Sequence, residues 1–165
     1  MMRWNDFGRS LVFGASAAAG VVPFTLVAAP PLGWSSALAA YAVLCSAVYL
    51  VGLGPNVRRG ATAALLAGAL GSAAWGIAPS PRDAILAAAL VLALCRSGLL
   101  YRARFARALA LEGVLGVAAL GLAGQLLSGS TFSAVLAVWS FFLVQSAFFL
   151  VGGIEVRSEP APDLD

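Results

Sequence analysis

The chain has 165 residues, of which 61% are hydrophobic and only 10% are charged, with a formal net charge of +3. A soluble domain carries roughly 25% charged and roughly 45–50% apolar residues. A soluble domain of this length would bury only about two-thirds of the surface that its chain exposes. The composition therefore excludes a soluble globular fold and indicates an integral membrane protein whose surface faces lipid.

Six apolar stretches follow one another along the chain, and turn-forming residues or arginines separate them. Each is close to the ~20 residues that cross a ~30 Å hydrocarbon core as a helix. The stretches are about Ser10–Ala29, Gly33–Leu53, Ala61–Ala78, Asp83–Tyr101, Ala106–Leu127 and Thr131–Ile154. The sequence thus predicts an all-α protein with six transmembrane helices, a single transmembrane domain over residues 1–165, and a short cytoplasmic tail at 155–165.

The distribution of arginine predicts the orientation. All ten basic residues are arginines, and nine of them lie in or next to the terminal segments, the second loop and the fourth loop. Only Arg82, beside Asp83, lies on the opposite side. Because cytoplasmic loops carry the excess of basic residues, we expect both termini and the even-numbered loops in the cytoplasm. The expected location is the inner (cell) membrane of a prokaryote, which the chain crosses several times.

A weak internal repeat has a period of about 50 residues. A shift of this size aligns Leu44-Cys45 with Leu94-Cys95 and with Val144-Gln145, and it pairs Pro31 with Pro81. The repeat predicts three helical hairpins with short outer turns and basic inner loops. The alternative is that any regular series of short helices acquires this spacing.

Side chains that hold cofactors and metals are scarce. The chain has no His and no Lys, which removes the commonest metal ligand and general base, the Schiff-base lysine and the P-loop lysine. Cys45 and Cys95 lie in apolar runs without a CxxC spacing. We therefore expect no catalytic residue, no cofactor, no metal site and no enzyme activity. Nucleic acid is not an expected partner, because the arginines follow the membrane topology.

Arg96 and Glu112 are the candidate intramembrane polar pair. Each lies a turn or two from the same loop, so the two side chains are expected at similar depth. Ionisable groups inside a membrane segment are costly and indicate function by default, here in proton or substrate handling. The alternative is structural pairing near the interface, where an arginine extends toward water and Glu112 can also meet Arg104 or Arg107.

Other side chains are candidates for helix packing. Gln125 and Gln145 are expected to form hydrogen bonds between helices, and the alternative is that they contact a ligand. Small residues recur at every fourth position of the third helix, and bulky aromatic residues mark the sixth, where they would face lipid or another subunit. This candidate packing or partner face comprises Ala64, Gly68, Ser72, Gly76, Trp139, Phe141, Phe142, Phe148 and Phe149.

These features favour a non-catalytic membrane subunit that packs against, anchors or stabilises a larger membrane protein complex. Its expected partners are the lipid bilayer and other membrane subunits. The alternative function is a small-solute binding or transport component, or a small channel. In size, helix count and the Ala15-x-x-x-Ala19 pattern, the chain resembles the substrate-binding components of energy-coupling-factor vitamin transporters. This resemblance implies the second function.

Overall fold

The computed structural model describes residues 3–53, 57–100 and 105–151, and this part of the chain contains six α-helices and no strand. The predicted tail at 155–165 and the loop residues Arg102 and Arg104 lie outside the described residues. The helices are α1 (Arg3–Leu32), α2 (Trp34–Leu53), α3 (Val57–Ile77), α4 (Pro81–Cys95), α5 (Phe105–Leu126) and α6 (Thr131–Val151). A π-helical turn, Arg96–Leu100, continues α4.

Five of the helices, all except α4, are long and apolar enough to cross a membrane. The α-helical part of α4 has only 15 residues, and the five-residue π turn extends it to a length similar to that of its neighbours. Large apolar side chains on the outside of the bundle are exposed, as at Val27, Leu65 and Val117. Such a surface is stable in contact with hydrocarbon and not with water.

Two of the short turns depend on residues with particular backbone properties. The break predicted at Pro30-Pro31 is displaced, because α1 continues through both prolines to Leu32. The helix ends where Gly33 adopts a φ of +80° and its N–H donates to the carbonyl of Ala29 at 2.8 Å. Glycine takes this left-handed conformation without steric penalty. At the start of α4, Ser80 is the N-cap and Pro81 occupies the first turn, where proline loses no hydrogen bond.

Five helices form a ring in the order α1, α2, α4, α5, α6, and α3 packs outside it against α2 and α4. The α4–α5 contact is the sparse one in this ring. We call the end of the bundle that carries Arg9, Arg58, Arg59 and Arg107 the arginine-rich end. The opposite end, with the turns at Gly33, Ser80 and Gly129, is the short-turn end.

The row of small residues that packs α3 differs by one position from the predicted row. Ala64 is half-buried and Gly68 lies near the Ala47 methyl, but Ser72 and Gly76 are exposed. The buried row is Gly60, Ala63, Ala67 and Gly71. At Gly71 an added Cβ would lie 2.9 Å from Val43 Cγ1, so the absence of a side chain lets α2 and α3 approach. The two rows are adjacent on the helix, and burial follows the position of α2 and not the regularity of the spacing.

Candidate functional site

A cluster of polar side chains is buried near the arginine-rich end of the ring. Arg96 is fully buried, and its Nε donates to Oε1 of Glu112, which is 1% exposed, in an ion pair. Arg96 opens the π turn and Glu112 lies two turns into α5, and their contact places the two side chains at one depth of the bundle. The pairing gives each buried charge the partner that it requires in a medium of low dielectric constant.

The remaining donors of Arg96 connect the other helices of the ring. Its Nη2 donates to Gln145 Oε1 at 2.6 Å, and its Nη1 lies 3.4 Å from Tyr49 Oη. The Tyr49 hydroxyl is in turn 2.7 Å from Ser10 Oγ. The cluster thus contains one residue from each of α1, α2, α5 and α6 and one from the π turn that continues α4. Its members are Ser10, Tyr49, Arg96, Glu112 and Gln145. A fork of guanidinium donors suits this role better than a single ammonium group.

Aromatic rings from α6 enclose the guanidinium. Its Cζ lies 4.2 Å from the ring centroid of Phe148 and 6.0 Å from that of Phe149, both of which are buried. Such cation–π contacts contribute about 2 kcal/mol or more when desolvated. The expectation that the α6 aromatic residues face lipid or another subunit is wrong for Phe142, Phe148 and Phe149, which pack inside the bundle. Trp139 and Phe141 are half-buried.

The π turn itself places Arg96 and Ser97 side by side in the interior, where both are 0% exposed. A π turn inserts one residue into a helical register, and such turns occur frequently at functional sites. Among the buried side-chain oxygens and nitrogens that the structure describes, the Ser97 hydroxyl is the one without a hydrogen-bond partner.

A cavity of about 890 Å³ occupies the other half of the ring, at the short-turn end. It lies where α4 and α5 diverge, and α2 and α6 form its remaining walls. The volume falls within the roughly 300–1,000 Å³ of ordinary small-molecule sites. Its apolar walls include Leu38, Ile85, Leu120, Val138 and Phe141. We call it the α4–α5 cavity.

The polar groups of the α4–α5 cavity divide into a deep set and a mouth set. In the deep set, the Tyr41 hydroxyl donates to the carbonyl of Ala17 and that of Ser46 to the carbonyl of Ala42, so both are already satisfied. The Cys45 thiol also borders the cavity and forms no disulfide.

At the mouth, Arg82 is exposed and is the charged residue among the described lining residues. Gln125 is exposed on α5 and makes no side-chain hydrogen bond within the described part of the chain. It was expected to join helices, but α5 has already diverged from α4 at this level.

A thin aromatic layer separates the cavity from the buried cluster. Phe142 lines the cavity, and its ring centroid is 5.3 Å from that of Tyr49, a member of the cluster. Phe13 packs against both rings at 5.0 Å. A second cavity of about 580 Å³ lies between α1 and α2 near the arginine-rich end, and Ser10 and Tyr49 border it. The polar cluster therefore lies between a space at one end of the bundle and a space at the other.

Sequence reasoning singled out Arg96, Glu112 and Gln145, which the structure brings together, but it missed Tyr49 and Ser10. Their signal was present, because both are hydroxyl residues within apolar stretches at the depth of Arg96. The cavity had no such signal, since its walls are the ordinary apolar residues of a membrane helix.

The comparisons with known proteins identify no relative. No protein-family model matches the chain, and neither a curated protein nor a solved structure is significantly similar to it. The resemblance to vitamin-transporter components therefore continues to rest on size, helix count and the Ala15-x-x-x-Ala19 pattern.

Proposed function

We propose that the protein is a membrane-embedded, non-catalytic component that binds a small solute in the α4–α5 cavity and takes part in its transport. The carrying observation is the cavity itself, with a volume of about 890 Å³ and apolar walls from four helices. Pockets of this size, apolar with a few polar groups, are the usual sites of small-molecule binding, including those between the helices of a bundle.

The buried cluster would serve as the rigid base of this site. It connects the ring helices at the arginine-rich end, whereas the contact between α4 and α5 is sparse. Phe142 connects the two regions, since it borders the cavity and contacts Tyr49. A solute in the cavity would therefore contact Phe142, which packs on Tyr49, a hydrogen-bond partner of Arg96. Through these contacts the cluster would respond to occupancy of the cavity.

The proposal includes the topology. The continuous Pro81–Leu100 segment would supply the sixth crossing, and the arginine-rich end and both termini would face the cytoplasm of a prokaryotic cell. The 50-residue period of three hairpins remains part of the proposal, although Tyr49, Arg96 and Gln145, which meet in one cluster, are 47 and 49 positions apart and not 50. The π turn at Arg96–Leu100 departs from that period, because residues 46–50 and 146–150 are α-helical.

An accessory subunit of a larger membrane complex is the second candidate. Exposed small residues favour it, because Ser72 and Gly76 on α3 and Ala15 and Ala19 on α1 leave surfaces that a partner helix can approach closely. Mass spectrometry after purification in mild detergent distinguishes the candidates. A stable protein partner would favour the accessory subunit, whereas a monomer that retains a small molecule would favour solute binding.

A matched pair of variants tests the cavity directly. Gly121 lines the cavity and Gly113 does not, although both are exposed on α5 and neither has another atom within 4 Å of an added Cβ. Gly121→Trp should abolish retention of the small molecule, and Gly113→Trp should preserve it. Equal retention by both variants would place the solute outside the cavity and contradict the proposal.

A further inference from the structure

Charge is distributed unevenly over the α4–α5 cavity. Its deep part holds no charged side chain among the described lining residues, and its hydroxyl groups there donate to backbone carbonyls. The ligand portion that reaches this depth is therefore mainly apolar, because the walls there are apolar and hydroxyl groups whose protons already bond backbone carbonyls offer a ligand only acceptor lone pairs.

The mouth has the opposite character. Arg82 lines it, and no carboxylate of the described residues lies within salt-bridge distance of its guanidinium. The adjacent Asp83 keeps its charge, but its Oδ2 accepts from the Ser80 hydroxyl at 2.6 Å within the N-cap of α4 and forms no ion pair with Arg82. An exposed guanidinium at the entrance, without an ion-pair partner among the described residues, favours a ligand with a negative charge at one end.

The sparse contact between α4 and α5 determines how such a ligand enters. The cavity lies between Ile85, Leu86 and Ala89 on α4 and Leu120, Gly121 and Gly124 on α5. Leu86, Gly121 and Gly124 are exposed, so we infer that this side of the cavity is open toward the bilayer. An apolar chain can pass from the bilayer through this opening while its head group stays at the level of Arg82. A solute without an apolar portion would not enter from the bilayer through this opening.

From these observations we infer that the ligand is a single-chain amphiphile with an anionic head group. Its alkyl chain lies in the deep part of the cavity toward Cys45 and Phe142, and its carboxylate or phosphate lies at the mouth beside Arg82 and Gln125. This inference rests on the proposed function and specifies the substrate class of the same site.

Chain-matched probes test the inference. The protein is reconstituted in phosphatidylcholine nanodiscs and incubated with hexadecanoate, hexadecyl phosphate, hexadecanol or hexadecyltrimethylammonium. Native mass spectrometry then measures the fraction of protein that retains one probe molecule. We expect the anionic probes to bind about fivefold more tightly than hexadecanol, which corresponds to a partly exposed ion pair of about 1 kcal/mol. The two anionic probes distinguish a carboxylate from a phosphate head group.

The variants Arg82→Gln and Arg58→Gln separate the mouth charge from general surface charge. Both arginines are exposed, but Arg58 lies at the arginine-rich end, away from the cavity. Arg82→Gln should lower anionic binding to the level of hexadecanol, and Arg58→Gln should leave it unchanged. An anionic preference that survives Arg82→Gln, or equal binding of all four head groups, would overturn the inferred ligand class while leaving solute binding intact. Retention of no probe by the wild-type protein would also overturn the inferred ligand class, whereas the proposed function itself fails if Gly121→Trp and Gly113→Trp retain the co-purified molecule equally.

Discussion

Replacing Arg96 or Glu112 alone by leucine should destabilise the protein more than replacing both. The two side chains are 0% and 1% exposed, so Arg96→Leu leaves a carboxylate in the interior without its cation, and Glu112→Leu leaves the reverse. Removing one partner of such a pair costs about 3–5 kcal/mol, whereas replacing both by apolar residues is often close to neutral. For a chain of this length, each single variant should lower the melting temperature by roughly 6–20 °C.

The two single variants should differ in severity. Without Glu112, the Arg96 guanidinium keeps Gln145 Oε1 at 2.6 Å and the Phe148 ring at 4.2 Å. Without Arg96, Glu112 loses its described partner, and Gln145 and Tyr49 lose a donor at the same time. Arg96→Leu should therefore be the worse variant, and Glu112→Leu should lie between it and the double variant.

The assay is thermal unfolding in one detergent of the wild type, both single variants and the double variant, with exposed Arg107→Leu as the control. Arg107 lies at the same end of the bundle, and its replacement should change stability little. A double variant no more stable than the worse single variant would refute the structural coupling of the pair. Single variants that fold normally but fail to retain a solute would instead assign the pair a direct role in function.

Three other predictions concern packing, hydrogen bonding and topology. Gly14→Ala and Gly71→Ala each place a methyl group 2.9 Å from a side chain of a neighbouring helix and should destabilise the protein by about 1–3 kcal/mol in the same unfolding assay. Gly8→Ala and Gly76→Ala add a methyl group where space is open, so they should be neutral or stabilise the protein by up to about 1 kcal/mol. Tyr49→Phe removes the hydroxyl that partners buried Ser10 and should cost about 1–3 kcal/mol, and Ser10→Ala in the same chain should recover part of it; full additivity would contradict the hydrogen bond. Reporter fusions after Arg59 and Arg107 should read as cytoplasmic, and fusions near Pro31, Pro81 and Ser130 should read as external. One reversed loop would contradict the six-crossing topology.

The helices could be predicted from the sequence because lipid imposes a simple length and hydropathy requirement on each of them. The exception is α4, whose apolar stretch gave no indication of the π turn at Arg96–Leu100. Hydropathy does not distinguish the two helical forms, and the contacts of Arg96 with Glu112 and Gln145, which coincide with the π turn, are tertiary contacts that hydropathy does not register.

Side-chain direction was harder to predict than helix position. The row from Ala64 to Gly76 has the regular spacing of a packing face, yet the adjacent row with Gly71 is the buried one. Phe148 and Phe149 are chemically suited to lipid, but they enclose the Arg96 guanidinium. In a membrane protein, both the interior and the surroundings are apolar, so hydrophobicity alone does not indicate which face of a helix turns inward.

The relative reactivity of the two native thiols tests the α4–α5 cavity most directly. Cys45 and Cys95 are both free and are 7% and 6% exposed, but only Cys45 is among the residues that line the cavity. Maleimide labelling in phosphatidylcholine nanodiscs, followed by intact mass, compares Cys95→Ser with Cys45→Ser. Cys45 should react severalfold faster than Cys95, and Gly121→Trp should slow it. Equal rates for the two thiols, or a Cys45 rate that Gly121→Trp leaves unchanged, would contradict an open cavity at this place and the function proposed for it.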